Sequence, residues 1–171
     1  MALIVEDGSG RSDSESFASV ADADAYWSLR GNPSDWTSAN TAAKESALRA
    51  ASDYVEARFA ERWMGCRIST TQRMSWPRYG VYVDAVYVSS SAVPEQVRFA
   101  TIELALRSLT ETDGLMPDIA EPGSIAAESV SLGEISTSTT YIGAKSQFKK
   151  FSRPDALLRP LVSGGDFARL G

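Results

Sequence analysis

Residues 41–62, TAAKESALRAASDYVEARFAER, decide the fold class. Leu48, Ala51, Val55 and Phe59 recur at spacings of 3, 4 and 4, which places them on one stripe of an α-helix. Residues Glu45 to Arg49 and Glu56 to Ala60 flank that stripe with polar positions. A helix of this length with one apolar face has to pack against others. The same signal recurs on either side of it.

Upstream, Ser19 is placed to cap a helix, with Asp22 three residues on as its capping-box partner. Tyr26, Trp27 and Leu29 give this helix apolar surface, and Gly31 followed by Asn32-Pro33-Ser34 ends it in a turn. Residues 6–16, EDGSGRSDSES, are glycine- and serine-rich and predict a loop or flexible arm. Downstream, Pro94 opens a third helix running to about Leu109. Its apolar residues, Val97, Ile102, Leu104, Ala105 and Leu109, cover so much of the circumference that it should be the most buried element. Glu103 lies within that surface, and Arg107 four residues on is its predicted ion-pair partner.

Residues 64–93 lose the helical period at Gly65, Pro77, Gly80 and the serine run 89–91, which predicts a long ordered loop with a short strand near 81–88. Gly114, Pro117, Pro122 and Gly123 mark a second change. Beyond them, residues 125–130 and 135–142 read as a β-hairpin with its turn near Leu132-Gly133. Pro154 then opens a short helix over 155–161. The fold class is therefore mainly α, a small bundle of three to four helices with a long loop and a β-hairpin extension. One domain over 1–171 is expected, comprising an arm (1–16), a helical core (17–112), the hairpin (124–142) and a C-terminal segment (152–171).

Composition narrows the chemistry. The chain has no histidine, which removes the commonest general base and metal ligand, and a single cysteine, Cys66, which cannot form an internal disulfide. No catalytic residue, cofactor or metal is expected. Ser146 and Lys149 match a serine–lysine catalytic spacing by chance, because its companion motifs are missing. Asp22 and Asp24 lie two apart on a helix and so cannot share a metal. Met1 to Asp7 do not read as a secretory leader, and no run approaches the roughly 18 apolar residues of a membrane span. A soluble protein of a reducing cytoplasm is the simplest expectation.

The net charge of −5 argues against a protein whose main work is coating nucleic acid. It is unevenly spread, at −6 over residues 1–57, +3 over 58–98, −6 over 99–142 and +4 over 143–171. Such blocks either give a subunit acidic and basic faces for head-to-tail packing or are ordinary solvated surface. Two constellations stand out. Arg58, Arg62, Arg67, Arg73 and Arg78 are interleaved with Phe59, Trp63, Trp76 and Tyr79, and cations with stacking rings are what single-stranded nucleic-acid binders use. In the competing reading the rings fill the core and the arginines pair with acids. Near the C-terminus, Leu157, Leu158, Leu161 and Phe167 lie among Arg153 and Arg159. They form either a docking patch for a partner or the lid of the subunit's own core.

Several segments together resemble a known phage family. They are MALIVEDG at 1–8, SVADADAY at 19–26, TQRMSWPR at 71–78, Val93-Pro94 ahead of the third helix, and DALLRPL at 155–161. The family carries the label DnaT-like single-stranded-DNA-binding protein, and its members are similar to the head-to-tail connector (adaptor, head completion) proteins of tailed phages. The resemblance implies a virion protein of the neck, assembled in the host cytoplasm. It would form a dodecameric ring beneath the portal protein, receive a stopper or tail terminator protein, and let double-stranded DNA pass without specific binding. Leu157, Leu158, Leu161, Arg153, Arg159 and Phe167 would then dock the portal, and Arg62, Arg67, Arg73 and Arg78 would touch nucleic acid or a neighbouring subunit. The alternative is a single-stranded-DNA-binding accessory protein of replication, which requires the arginine–aromatic segment to be exposed.

Overall fold

The computed structural model describes residues 2–116, 127–132, 135–140 and 149–163. The chain divides into two compact units, Met1–Leu115 with Lys150–Gly171, and Met116–Lys149. The first is the helical bundle expected from the apolar periodicity.

Helix α1, Val20–Ser28, starts with the anticipated capping box: the Asp22 N–H donates to Ser19 Oγ and the Ser19 N–H to Asp22 Oδ2, both at 3.0 Å. A cap of this kind stabilises a helix by about 1 kcal/mol. Ala23, Tyr26 and Trp27 form its buried face. One turn of helix, α2 (Ser34–Thr37), exists because Trp36 is buried there, its Nε1 donating to Asp24 Oδ1 at 2.8 Å. Helix α3, Thr41–Phe59, is capped by Asn40, and its Leu48, Ala51, Val55 and Phe59 are fully buried as their spacing requires. It stops three residues short of the expected Arg62, where the chain tightens and turns at Gly65 with φ +67°.

Helix α4, Glu95–Thr110, follows Pro94 and packs along α3. Val97, Ala100, Ile102, Leu104 and Ala105 are all fully buried, so the helix is covered nearly all round. Glu103 is buried too, but its partner is not Arg107, which is exposed. Arg153 Nε lies 2.8 Å from Glu103 Oε1, and the Tyr26 hydroxyl donates to the same oxygen at 2.6 Å. The sequence neighbour shares the helix face but lies one turn on, where the helix emerges into solvent, whereas Arg153 reaches the enclosed carboxylate.

Of the two readings of residues 6–16, the loop is the one the structure shows. Glu6 is buried and accepts the N–H groups of Gly8, Gly10 and Arg11 and the hydroxyl of Ser14, tying the loop around one carboxylate. A Cβ on Gly8 would collide with the Ser91 carbonyl oxygen, so that close approach demands glycine.

Residues 64–93 form an ordered loop carrying two minimal hairpins. Strand β1 (Cys66–Arg67) pairs antiparallel with β2 (Arg78–Tyr79), and β3 (Tyr82–Val83) with β4 (Val86–Tyr87). The second turns through Asp84 and Ala85, both left-handed at φ +50° and +64°, the geometry of a two-residue hairpin turn. At the end of this unit, α5 (Ser152–Leu158) begins earlier than the expected 155 and passes into a 3₁₀ turn, Arg159–Leu161. In the second unit, β5 (Ala127–Leu132) pairs antiparallel with β6 (Ile135–Thr140), with Leu132 opposite Ile135. The hairpin is where the sequence suggests, its first strand running two residues beyond the expected Val130.

Candidate nucleic-acid interface

The arginine–aromatic segment is pulled apart by the fold. Phe59, Trp63 and Trp76 turn inward and pack in a chain, Phe59 to Trp63 at 5.6 Å between ring centroids and Trp63 to Trp76 edge-on at 5.7 Å. None of the three rings is open to a base. Arg78 is likewise buried. Its guanidinium donates to the carbonyls of Met64 (2.7 Å), Gly65 (2.6 Å) and Ser75 (3.2 Å), and burial pushes its pKa down. Arg78 is a staple for the loop rather than a contact for phosphate.

The rest of residues 71–78 is built in the same way. Gln72 is buried, donating to the carbonyls of Met74 and Pro77 and accepting from the Ser69 N–H. The Ser75 N–H and hydroxyl both donate to Glu56, each at 2.7 Å. The Trp76-Pro77 peptide is cis. These residues carry the family resemblance, and they scaffold the loop.

The scaffold presents a different set of rings. Tyr79, Tyr82 and Tyr87 are 53%, 58% and 49% exposed, and Val86 between them is more open still. Tyr82 and Tyr87 face each other across β3–β4 with ring centroids 5.5 Å apart. Tyr79 stands opposite Cys66 on β1–β2, three residues along the chain from Tyr82, within about 10 Å at full extension. Two inward features hold the hairpins in place. Val81 is fully buried and its carbonyl accepts the Val88 N–H, while a Cβ on Gly65 would collide with the Tyr79 carbonyl oxygen. Tyr82 and Tyr87 were not among the sequence-derived candidates. Sequence offered little to find them by, because Asp84-Ala85 lacks the glycine that usually announces the two-residue turn setting them opposite one another.

The remaining cations differ in reach. Arg67 is 43% exposed, bonded to the Gln72 carbonyl and 4.0 Å from Glu56. Arg73 is exposed, with Glu15 and Asp53 within its electrostatic reach. Arg62 lies over the Phe59 ring, 4.8 Å from its centroid. Arg58 pairs with Asp155 at 2.7 Å and also meets the Tyr54 hydroxyl.

The C-terminal candidates belong to the core. Leu158 and Leu161 are fully buried, Leu157 is half-buried, and Phe167 lies outside the described residues. The Met64 N–H donates to the Leu161 carbonyl and the Ser163 N–H to that of Arg62, so the segment is fastened to the end of α3's loop. Arg153 is held by Glu103 and Tyr26, and Arg159 is exposed. Among the described residues, Leu158 and Leu161 close the protein's own core rather than facing outward for docking.

An open groove of about 390 Å³ lies between the Glu6 loop and the start of α4. It offers no better site for an anion, since Glu6, Asp7 and Asp22 line it and its one cation, Arg98, already lies 3.7 Å from both Asp22 and Glu95. Among the described residues no cluster of acidic or cysteine side chains could hold a metal, and no helix is long and apolar enough to cross a membrane.

Fold and surface together define a small, mainly helical protein with an exposed aromatic platform on paired hairpins. The chain belongs to the family described as "Putative DnaT-like ssDNA binding protein", whose sequence model matches residues 1–170. Comparison with curated proteins and with solved structures gives no match. The family assignment overturns the head-to-tail connector reading. With it go the dodecameric ring, the portal and stopper or tail terminator partners, and passive passage of double-stranded DNA. The alternative raised by the sequence, single-stranded-DNA binding, is the one that the family description favours.

Proposed function

We propose that this protein binds single-stranded DNA, as an accessory protein without catalytic activity, by stacking unpaired bases on Tyr79, Tyr82 and Tyr87. The observation that carries the reading is the exposure of these three rings, on hairpins anchored from beneath, while every tryptophan of the chain is buried. Base–aromatic stacking contributes about 1–3 kcal/mol per base. Three rings near the middle of that range give about 6 kcal/mol, a Kd on the order of tens of micromolar. Arg67, beside the platform on β1, supplies a guanidinium for the backbone.

Fluorescence anisotropy of a labelled oligothymidine at moderate salt tests this directly, with a blunt duplex of equal length as control. Saturable binding of the single strand, with the duplex much weaker because its bases are already stacked, is the expected result. Equal binding of both, or none, refutes the proposal.

A further inference from the structure

We infer that recognition at this platform is dominated by stacking rather than by phosphate neutralisation, so that its ligand is an unpaired, flexible strand held with little dependence on salt or base sequence. This rests on the single-stranded-DNA reading and adds how the strand is selected. Most of the arginines between 58 and 98 are committed within the fold. Arg58 is engaged by Asp155, Arg78 by three carbonyls, and Arg98 by Asp22 and Glu95, while Arg62 lies over Phe59. Arg67 and Arg73 remain exposed.

A strand neutralised by about two cations releases few counterions, and its affinity falls with salt at a slope of about −1.4. Between 50 and 200 mM salt that is a loss of less than about 10-fold, against about 10³-fold or more for a protein gripping six or more phosphates of a duplex. The overall charge of −5 opposes the approach of any polyanion and deepens the contrast. Three half-exposed rings, two of them meeting edge-on, accept bases with little regard to identity, because every base has a π-face. What they do discriminate against is a strand that must first be unstacked. A duplex therefore binds less well than oligothymidine.

The test is a salt series of anisotropy titrations on the whole protein with oligothymidine, repeated for Tyr82→Ala, Tyr87→Ala and Arg67→Gln, each checked for unchanged circular dichroism. A shallow slope is expected, with losses of about 5- to 150-fold for each tyrosine variant and a slope reduced by about 0.7 for the arginine variant. A slope steeper than about −3 overturns the inference while leaving single-stranded binding standing, and tyrosine variants that bind like the parent overturn it together with the stacking role given to these rings. Absence of binding at every salt concentration overturns both.

Discussion

Replacing Trp76 by alanine separates a structural ring from a stacking ring. The side chain is fully buried and meets Trp63 edge-on at 5.7 Å, within the same aromatic chain as Phe59. Truncating a buried aromatic to alanine costs about 3–5 kcal/mol through lost transfer energy and the cavity left behind. One feature lowers that figure. Trp76 Nε1 is buried and bonds no partner among the described residues, a burden of about 1 kcal/mol or more that alanine removes. The net expectation is about 2–4 kcal/mol, which for a chain of this size lowers the Tm by about 4–16 °C. Trp76→Phe keeps most of the ring and discards the N–H, so it should cost less than about 1.5 kcal/mol. Thermal and urea unfolding followed by circular dichroism measure both, and the phenylalanine variant should keep its affinity for oligothymidine. If the alanine variant loses under about 1 kcal/mol, the ring is not packed and the division between inward tryptophans and outward tyrosines fails.

Two further outcomes follow from the same loop. Ala85 sits at φ +64° in the hairpin turn, where a Cβ costs about 1–2 kcal/mol; Ala85→Gly removes that and forfeits about 0.5–1 kcal/mol of chain entropy, so urea unfolding should show a gain of about 0.5–1 kcal/mol, and a loss would refute the left-handed turn. Burial is the main cause that pushes the Glu56 carboxyl above its ordinary range, against the pull of the Ser75 hydrogen bonds and of Arg67 and Arg78. A carboxyl that titrates higher folded than unfolded contributes its full stability below the unfolded value and loses it as pH rises through the folded one. The parent should therefore gain on Glu56→Gln between neutral pH and the ordinary glutamate value of 4.5. Paired urea titrations at the two pH values check this, and a difference that is constant or of opposite sign contradicts it.

Where a helix repeats its apolar spacing, the sequence was enough. The α3 stripe of Leu48, Ala51, Val55 and Phe59 and the Ser19–Asp22 capping box depend only on neighbours within a turn or two, and both stand as read. What could not be read depends on residues distant in the chain. Helix α2 has one turn and no periodicity, and forms because Trp36 reaches Asp24. Glu6 organises its loop through backbone N–H groups, which every residue but proline carries and no sequence pattern announces. Glu103 sits at helical spacing from Arg107, yet it is satisfied by Arg153, fifty residues on. At the candidate interface, the aromatic content of residues 59–87 was visible, but which rings face inward was not. Trp63, Trp76 and Tyr79 carry the same composition signal, and only the anchoring of Val81, Arg78 and Gln72 turns the last outward.

The charge blocks show most clearly how folding changes the meaning of a sequence feature. Spread along the chain as acidic, basic, acidic and basic stretches, they invited the idea of opposite faces on one subunit, ready for a neighbour. In the fold the blocks meet each other instead. Asp22 and Glu56 from the first lie near Arg98 and Arg67 from the second, Arg58 from the second pairs with Asp155 from the fourth, and Glu103 from the third pairs with Arg153 from the fourth. The exposed pairs contribute little individually, about 0–1 kcal/mol, but the buried Glu103 would be costly to strand, at about 3–5 kcal/mol. Pairing also consumes cations that would otherwise have met phosphate. A polyanion approaching residues 58–98 finds few uncommitted guanidinium groups and three open tyrosines. An acidic protein can hold a single strand under those terms because stacking takes its energy from ring faces and solvent, neither of which the net charge of the chain removes.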